Sequence, residues 1–493
     1  NTHIWIMISM KKINKNGSFY HPIFWLFIYI FIHFTVRIFL SQTIQVDDSE
    51  QIDHAQNLLL GYPIPQPPMY SWLTWIMFQI FGTGLLALTL LKYTFIALTF
   101  WLTWLVSGQL FQHLQTRYIA TFSYLLMPSF AWHMHQGFTH TILLGFGIIL
   151  SLHALLLLKE SPITKNYLYL GVAFGVGLMG KYSFLLFMLP ILVSALTISS
   201  FRTLLLDKKI LLSIGIFLII VGPHAYWLLQ HYQEIFLSID QKLKVTSDNL
   251  FLDRIKSVGQ FTGAAIAFVV PFSLIFIINS WKKIFNTDKQ ASKNNNALLL
   301  NRFYLIIIVL VLILAIFISM PHFKVRWFHP LMMAFPLWML TRIERKAPLS
   351  KSIMRWFASI TIVFTVLILS IRIAQITVGP ELGKYGRLNR PIIETFNKLP
   401  ESTIEDSIIK TKDGFIGSHL LSHYQKHIII IEDRNFRKKH YKDSVQCLWL
   451  WDDDTPYKEP KINKIIEQCA LVTYVAEFKY TLFYALSSKS ECH

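Results

Sequence analysis

PIFWLFIYIFIHFTVRIFL, Pro22 to Leu40, is an apolar run interrupted by one cation, Arg37. About 20 residues cross the ~30 Å hydrocarbon layer as a helix, and this stretch reaches that length. It has no small-residue cleavage site, so it predicts a spanning helix that stays in the chain and not a signal peptide. Directly after it comes QVDDSEQIDHAQNLLLGYPIPQPPMYSW, Gln45 to Trp72. This stretch carries Asp47, Asp48, Glu50 and Asp53, is stiffened by Pro63, Pro65, Pro67 and Pro68, and lacks Lys and Arg. Acids contribute little to membrane orientation, so a wholly acidic segment in a chain of net charge +18 calls for another reason.

The rest of the composition agrees with a membrane protein. With 53% hydrophobic and 15% charged residues and a mean hydropathy of +0.44, there is too little charge to cover a soluble surface. The 39 Phe, 20 Tyr and 14 Trp suit lipid-facing helices and interfacial belts. Spans are expected at 22–40, 85–111, 118–134, 138–158, 167–180, 183–201, 210–229, 258–280, 303–320, 325–341 and 356–378, about eleven within a range of 9–13. Ser71 to Phe81 is too short to span and reads as an interfacial or re-entrant helix. Met10, followed by Lys11, Lys12 and Lys15, has the look of a start, which makes residues 1–9 an upstream extension.

Lys and Arg gather at 11–15, 117, 159/165, 202/208/209, 282–302 and 342–355. With eleven spans and a cytoplasmic N-terminus (1–21), every one of these clusters falls inside, as the positive-inside bias requires. The excess of positive charge therefore needs no nucleic acid. Outside lie the acidic loop 41–70 and everything after the membrane module 22–378. From Gly379 the composition becomes that of a soluble domain, 379–493. Runs such as HIIIIE (427–432), VQCLWLW (445–451) and CALVTYVAEF (469–478) predict strands, and 415–425 and 460–468 predict helices, giving a small α/β domain. All three cysteines, Cys447, Cys469 and Cys492, lie there, and a Cys447–Cys469 disulfide is compatible with export.

Two sets of residues have chemistry to offer. A carboxylate at the membrane edge can serve as general base toward a hydroxyl, and Asp47 and Asp48 are the first acids after the span. Lys181 in GKYS and Lys324 and Arg326 in PHFKVRWFHP sit against the charge trend on the outer side, where they suit a phosphate. Arg37 and Lys92 read more simply as cations that snorkel to an interface. Glu50, Gln66, Tyr70, His140, Tyr182 and His329 are supporting candidates. The histidines of WHMHQGFTH (132–140) lack a nearby acid, so packing or substrate hydrogen bonding fits them better than a metal.

Asp47-Asp48, Ala55, Leu58, Gly61-Tyr62 and QPPMYSWL (66–73) together resemble the first outer loop of the polyprenyl-phosphate-dependent GT-C glycosyltransferases. Within them the similarity is to the branch of protein O-mannosyltransferases, the lipid A aminoarabinose transferase and rhizobial galacturonosyltransferases. It continues through TRYIATFSYLLMPSFAW (116–132), GFTHTILL (137–144), GLMGKYSFLLFMLP (177–190) and VRWFHPLMMAFPLW (325–338). The resemblance implies inverting transfer of a sugar from a lipid-phosphate donor to an envelope glycolipid, glycan or protein. The reaction would take place on the outer face of a bacterial inner membrane, with Asp47 as base or acceptor-binding group and Lys181 and Arg326 on the donor phosphate. It implies no cofactor, and a divalent cation is neither required nor excluded. Asp48 stands where many members have Glu. The second acid of the aminoarabinose branch is replaced by Pro65, so that branch's substrate handling does not carry over. A transporter or flippase of a lipid-linked or anionic substrate is the competing class, against which stand the absence of paired broken-helix halves and the large outer domain.

Overall fold

The computed structural model describes residues 22–62, 64, 66–233, 250–285, 294–317, 325–344, 349–384, 389–405, 407–424, 427, 429–431, 446–452, 473–477 and 480–488. Side chains at 250–257, 279–285, 314–317, 325–326, 473–477, 480–481 and 488 are outside that description. Lys324 and the 460–468 stretch are not among the described residues.

In lipid every backbone polar group must find its partner within the protein, and the apolar runs do so as helices. These are α1 (Pro22–Phe39), α2 (Val46–His54), α3 (Met69–Phe81), α4 (Leu85–Leu110), α5 (Leu114–Phe122), α6 (His140–Glu160) and α7 (Thr164–Gly180). They continue as α8 (Leu185–Leu196), α9 (Ser199–Leu205), α10 (Ile210–Gln230), α11 (Leu250–Phe285), α12 (Asn295–Phe317), α13 (Phe335–Ile343) and α14 (Lys351–Glu381). Among the described residues seven are long and apolar enough to cross a membrane: α1, α4, α6, α10, α14 and parts of α11 and α12. An eighth is made if Tyr182–Leu196 and Ser199–Leu205, bent by 111°, form one broken span. The protein is thus a polytopic helical membrane protein.

Besides 183–201, which bends by 111° between α8 and α9, two more of the expected spans are not single helices. The 118–134 stretch breaks into α5 and the turns Ser123–Leu126, Pro128–Ala131 and His133–His135. The 325–341 stretch breaks into Val325–Phe328, His329–Met332 and α13. Pro128, Pro330 and Pro336, each at the start of a new turn, lack the amide that would continue a helix. Irregular backbone at membrane depth is tolerated where protein covers it, and Ser123, Tyr124, Leu125 and Leu126 are all buried.

Helix backbones approach closely where side chains vanish. A Cβ on Gly147 of α6 would stand 2.5 Å from the Gly177 Cα of α7, so α6 and α7 pack through a glycine contact typical of membrane helices. A second tight contact pins the segment after α2. The Trp227 ring of α10 lies against Gly61 and is stacked on His231, with centroids 4.4 Å apart, while the His224 Nδ1–H donates to the Leu60 carbonyl at 2.8 Å. A Cβ on Gly61 would come within 2.1 Å of that ring. Gly61→Ala is therefore expected to cost about 1–3 kcal/mol by overpacking, read as a lower melting midpoint in detergent that Trp227→Leu partly restores.

After α14 the chain forms α15 (Ile392–Phe396), β1 (Ser407–Thr411), α16 (Gly414–His423), β2 (Ile429–Ile431), β3 (Gln446–Asp452), β4 (Thr473–Glu477) and β5 (Tyr480–Ser488). The sheet order is β2-β1-β3-β5-β4. β1 pairs parallel to β2 and β3, and β5 pairs antiparallel to β3 and β4. Strands β1 and β5 lie beyond the runs singled out in the sequence. Cys447 on β3 is disulfide-bonded, while Cys469 is outside the described residues.

The sheet layer shares an apolar core with the membrane module. Ile44, Ile52, Ala55 and Phe78 cluster with Ile392, Phe396, Ile416 and Leu420. The acidic segment, expected as a loop, carries all four of its acids on one short helix, α2. Asp47 and Asp48 occupy the first turn of α2, where the helix dipole favours negative charge.

Candidate active site

The acids of α2 are not equivalent. Asp48 points inward and is 2% exposed. Its Oδ2 accepts from the Lys92 ammonium at 2.9 Å, and the same ammonium donates to the Gln136 carbonyl at 2.7 Å. Lys92, about two turns into α4, is buried, which corrects the snorkelling expectation: an ammonium enclosed by a carboxylate and a carbonyl has no route to water. Asp47 and Glu50 are half-buried, and Asp53 is buried.

Arg37 does not snorkel either. Buried at the end of α1, it donates to the Ser41 and Thr43 carbonyls at 3.0 and 2.6 Å, closing the chain between α1 and α2. Behind Lys92 lies a further buried cation, Arg372 of α14, whose guanidinium donates to His33 Nδ1 at 2.6 Å and to the His135 carbonyl at 3.2 Å. His135 stacks on His33 with centroids 4.0 Å apart and is hydrogen-bonded to the phenols of Tyr29 and Tyr93. Arg372, His33 and His135 thus hold the turn that presents Gln136 to Lys92.

From the acids the polar chain continues across α3 to α6 and α7. Tyr70 of α3 is fully buried, and burial, then Asp48 and Asp47, push its phenol well above the usual value of 10, so it remains a hydroxyl beside both carboxylates. Its ring lies 5.7 Å from that of His140, centroid to centroid. Ser71 Oγ donates to Gln51 Oε1 at 2.7 Å, and the Gln51 amide donates to His140 Nε2 at 3.3 Å, which leaves the His140 proton on Nδ1. The next residue, Thr141, accepts from Lys181 Nζ at 2.9 Å through its hydroxyl. Lys181 sits half-buried in extended backbone just past the end of α7. Tyr182 donates to His224 Nε2 at 2.6 Å, a direction fixed because His224 Nδ1 carries the proton given to Leu60.

The structure therefore brings Asp47, Asp48, Tyr70, His140 and Lys181 into one region, with Tyr182 beside it. His329 is buried between the rings of Phe138 and Phe268, with centroids 5.8 and 5.0 Å away. Gln66 is half-buried three residues before α3. For Arg326 only the backbone turn is described. Among the described residues no group of three His, Cys, Asp or Glu is placed to hold a metal. Lys92, Gln51 and Thr141 were not singled out as site residues in the sequence. For Lys92 the signal was there: a lone cation inside an apolar helix on the acidic side.

Among the described residues seven or eight candidate spans carry the acidic helix, its buried lysine partner and the attached α/β layer, and the chain is a membrane glycosyltransferase that resembles the GT-C glycosyltransferases. Residues 65–227 match the family described as dolichyl-phosphate-mannose-protein mannosyltransferase. The chain is similar to the lipopolysaccharide core galacturonosyltransferase RgtB of Rhizobium johnstonii, 26% identical over 80% of each chain. It is also similar to RgtA of the same organism, 25% identical over 82% of this chain and 81% of that one. Its fold is that of ArnT from Cupriavidus metallidurans, solved bound to undecaprenyl phosphate. The TM-score is 0.63 at 13% identity, covering 93% of this chain and 98% of that one.

Proposed function

We propose that the chain transfers a sugar of the uronic acid class from a polyprenyl-phosphate donor to lipopolysaccharide core, with inversion, on the outer face of a bacterial inner membrane. The observation that carries the chemical part is the division of labour on α2. Asp48 is committed to Lys92, whereas its neighbour Asp47 is half-buried on the same helical turn. Asp47 takes the proton of the acceptor hydroxyl as that oxygen attacks the anomeric carbon. The bond from that carbon to the phosphate oxygen breaks in the same step, and its electron pair leaves with the polyprenyl phosphate. A single displacement inverts the centre. Lys181, beside His140 and Thr141, meets the growing charge on the leaving phosphate.

The sugar and acceptor rest on the two galacturonosyltransferase relatives. The outer-face assignment rests on three features of the chain. Contacts join α2 to the sheet layer, so both occupy one side of the membrane. Cys447 of that layer is disulfide-bonded, which suits an exported compartment. The basic residues collect at the other end of the bundle: Lys159 Nζ donates to Asn296 Oδ1 at 2.6 Å, and the Asn296 amide donates to the Gln109 carbonyl at 3.2 Å. Gln109 is 17 residues along α4 from Lys92, about 25 Å at 1.5 Å per residue.

Mass spectrometry of core oligosaccharide from cells with and without the protein tests the whole reading. A difference of one hexuronic acid residue per core is expected, and identical cores would overturn it. Lys181→Ala is expected to raise the donor KM about tenfold to a hundredfold, the worth of a charge-assisted hydrogen bond. An unchanged donor KM and kcat would remove Lys181 from the phosphate site.

A further inference from the structure

The sheet layer has no place in the chemistry above, yet it makes the contacts that set where α2 begins. The Ile44 amide, three residues before Asp47, donates to His419 Nε2 at 2.7 Å. The other ring nitrogen, Nδ1, carries the proton and donates to the Phe415 carbonyl at 2.7 Å, so Nε2 is left bare as an acceptor and the tautomer is fixed within α16. The next contact is one residue away: Ser418 Oγ donates to the Ser49 carbonyl at 2.8 Å, inside α2 itself. Thr43 Oγ1 donates to the Arg390 carbonyl at 3.0 Å. His419 is 1% exposed. No side chain caps the N-terminus of α2: Gln45 precedes it in extended backbone and makes no capping bond. Helix ends without caps fray, so the position of the first turn, which carries Asp47 and Asp48, is set from outside the helix.

We propose that His419 and Ser418 are positioning residues for sugar transfer, and that the α/β layer acts as a fixture that locates the first turn of α2. This rests on the reading of Asp47 as the base. His419 touches no substrate in this account; it acts through the Ile44 amide. A misplacement on the order of 1 Å can cost about a hundredfold in rate, so the effect belongs in kcat and not in the binding of the donor, whose phosphate is held by residues of α6 and the turn after α7.

The test uses the full chain in detergent, with the polyprenyl-phosphate sugar named by the in-cell mass difference as donor and purified core glycolipid as acceptor. His419→Leu is expected to lower kcat at least about tenfold while the donor KM stays within about twofold. His419→Gln, whose Oε1 can accept from the Ile44 amide where Nε2 did, is expected to recover most of the rate at an equal melting midpoint. Ser418→Ala is expected to give a smaller loss of the same kind. An unchanged kcat in His419→Leu would overturn the positioning role. So would a loss that merely follows the fraction of folded protein, with no recovery in the Gln variant. Asp47→Asn, measured alongside, separates the two claims. If it is inactive while His419→Leu is unaffected, only the positioning role falls; if it is fully active, the base assignment falls and takes the inference with it.

Discussion

Asp47→Asn is expected to lower sugar transfer by about 10²–10⁴-fold, the range associated with losing a general base, while the amount and melting midpoint of the protein stay at the parent value. Asparagine keeps the shape of the side chain and cannot accept the proton. Asp47 is half-buried on the first turn of α2, where an acceptor hydroxyl has access to it, and the buried ion pair belongs to Asp48. Asp48→Asn is expected to behave differently, because it removes the partner of a buried ammonium: folded protein falls together with activity. The core-oligosaccharide mass increment, normalised to protein level, reads both variants. Normal transfer by Asp47→Asn would take this residue out of the mechanism.

The second large effect is expected from Lys92→Met. Removing one partner of a buried ion pair costs about 3–5 kcal/mol because the remaining charge is stranded, whereas replacing both partners by apolar residues is often neutral. Here the stranded group is Asp48, at 2% exposure. Lys92→Met should therefore unfold or deplete the protein, and Lys92→Met combined with Asp48→Leu should return much of the melting midpoint without returning full activity, since the apolar pair no longer ties α2 to the Gln136 carbonyl. If the double variant melts no higher than Lys92→Met alone, the pair is not what holds α2 against α4.

Helix positions were legible where apolar residues run unbroken, as in α1, α4 and α6. They were less so where proline interrupts an apolar run, because hydropathy over a window does not register a missing amide. Pro128, Pro330 and Pro336 turned two expected spans into chains of short turns. The acids were visible as a charge anomaly, but their division was not. Nothing local distinguishes Asp47 from Asp48; the difference comes from α4, where Lys92 lies 44 positions away along the chain. Arg37 and Lys92 were misread for one reason: near a helix end, snorkelling and burial share a sequence signature, and only the neighbouring helices decide between them. Lys181 stands out in the sequence because it contradicts the charge trend, while its proximity to His140 comes from the packing of α6 on α7.

Arg372 bears on the order in which the protein is assembled. A guanidinium within the apolar run of α14, two thirds of the way along it, opposes insertion by up to roughly 2.5–3.5 kcal/mol, the cost at a helix centre, and the groups that satisfy it, His33 and the His135 carbonyl, are synthesised 339 and 237 residues earlier. When α14 leaves the ribosome its acceptors must already be standing together, with α1 in place and the 133–136 turn closed against it. The last long helix of the membrane module is thereby made dependent on the first. A chain whose N-terminal half has misassembled offers Arg372 nothing to bind, so α14 becomes the step at which such a chain stalls.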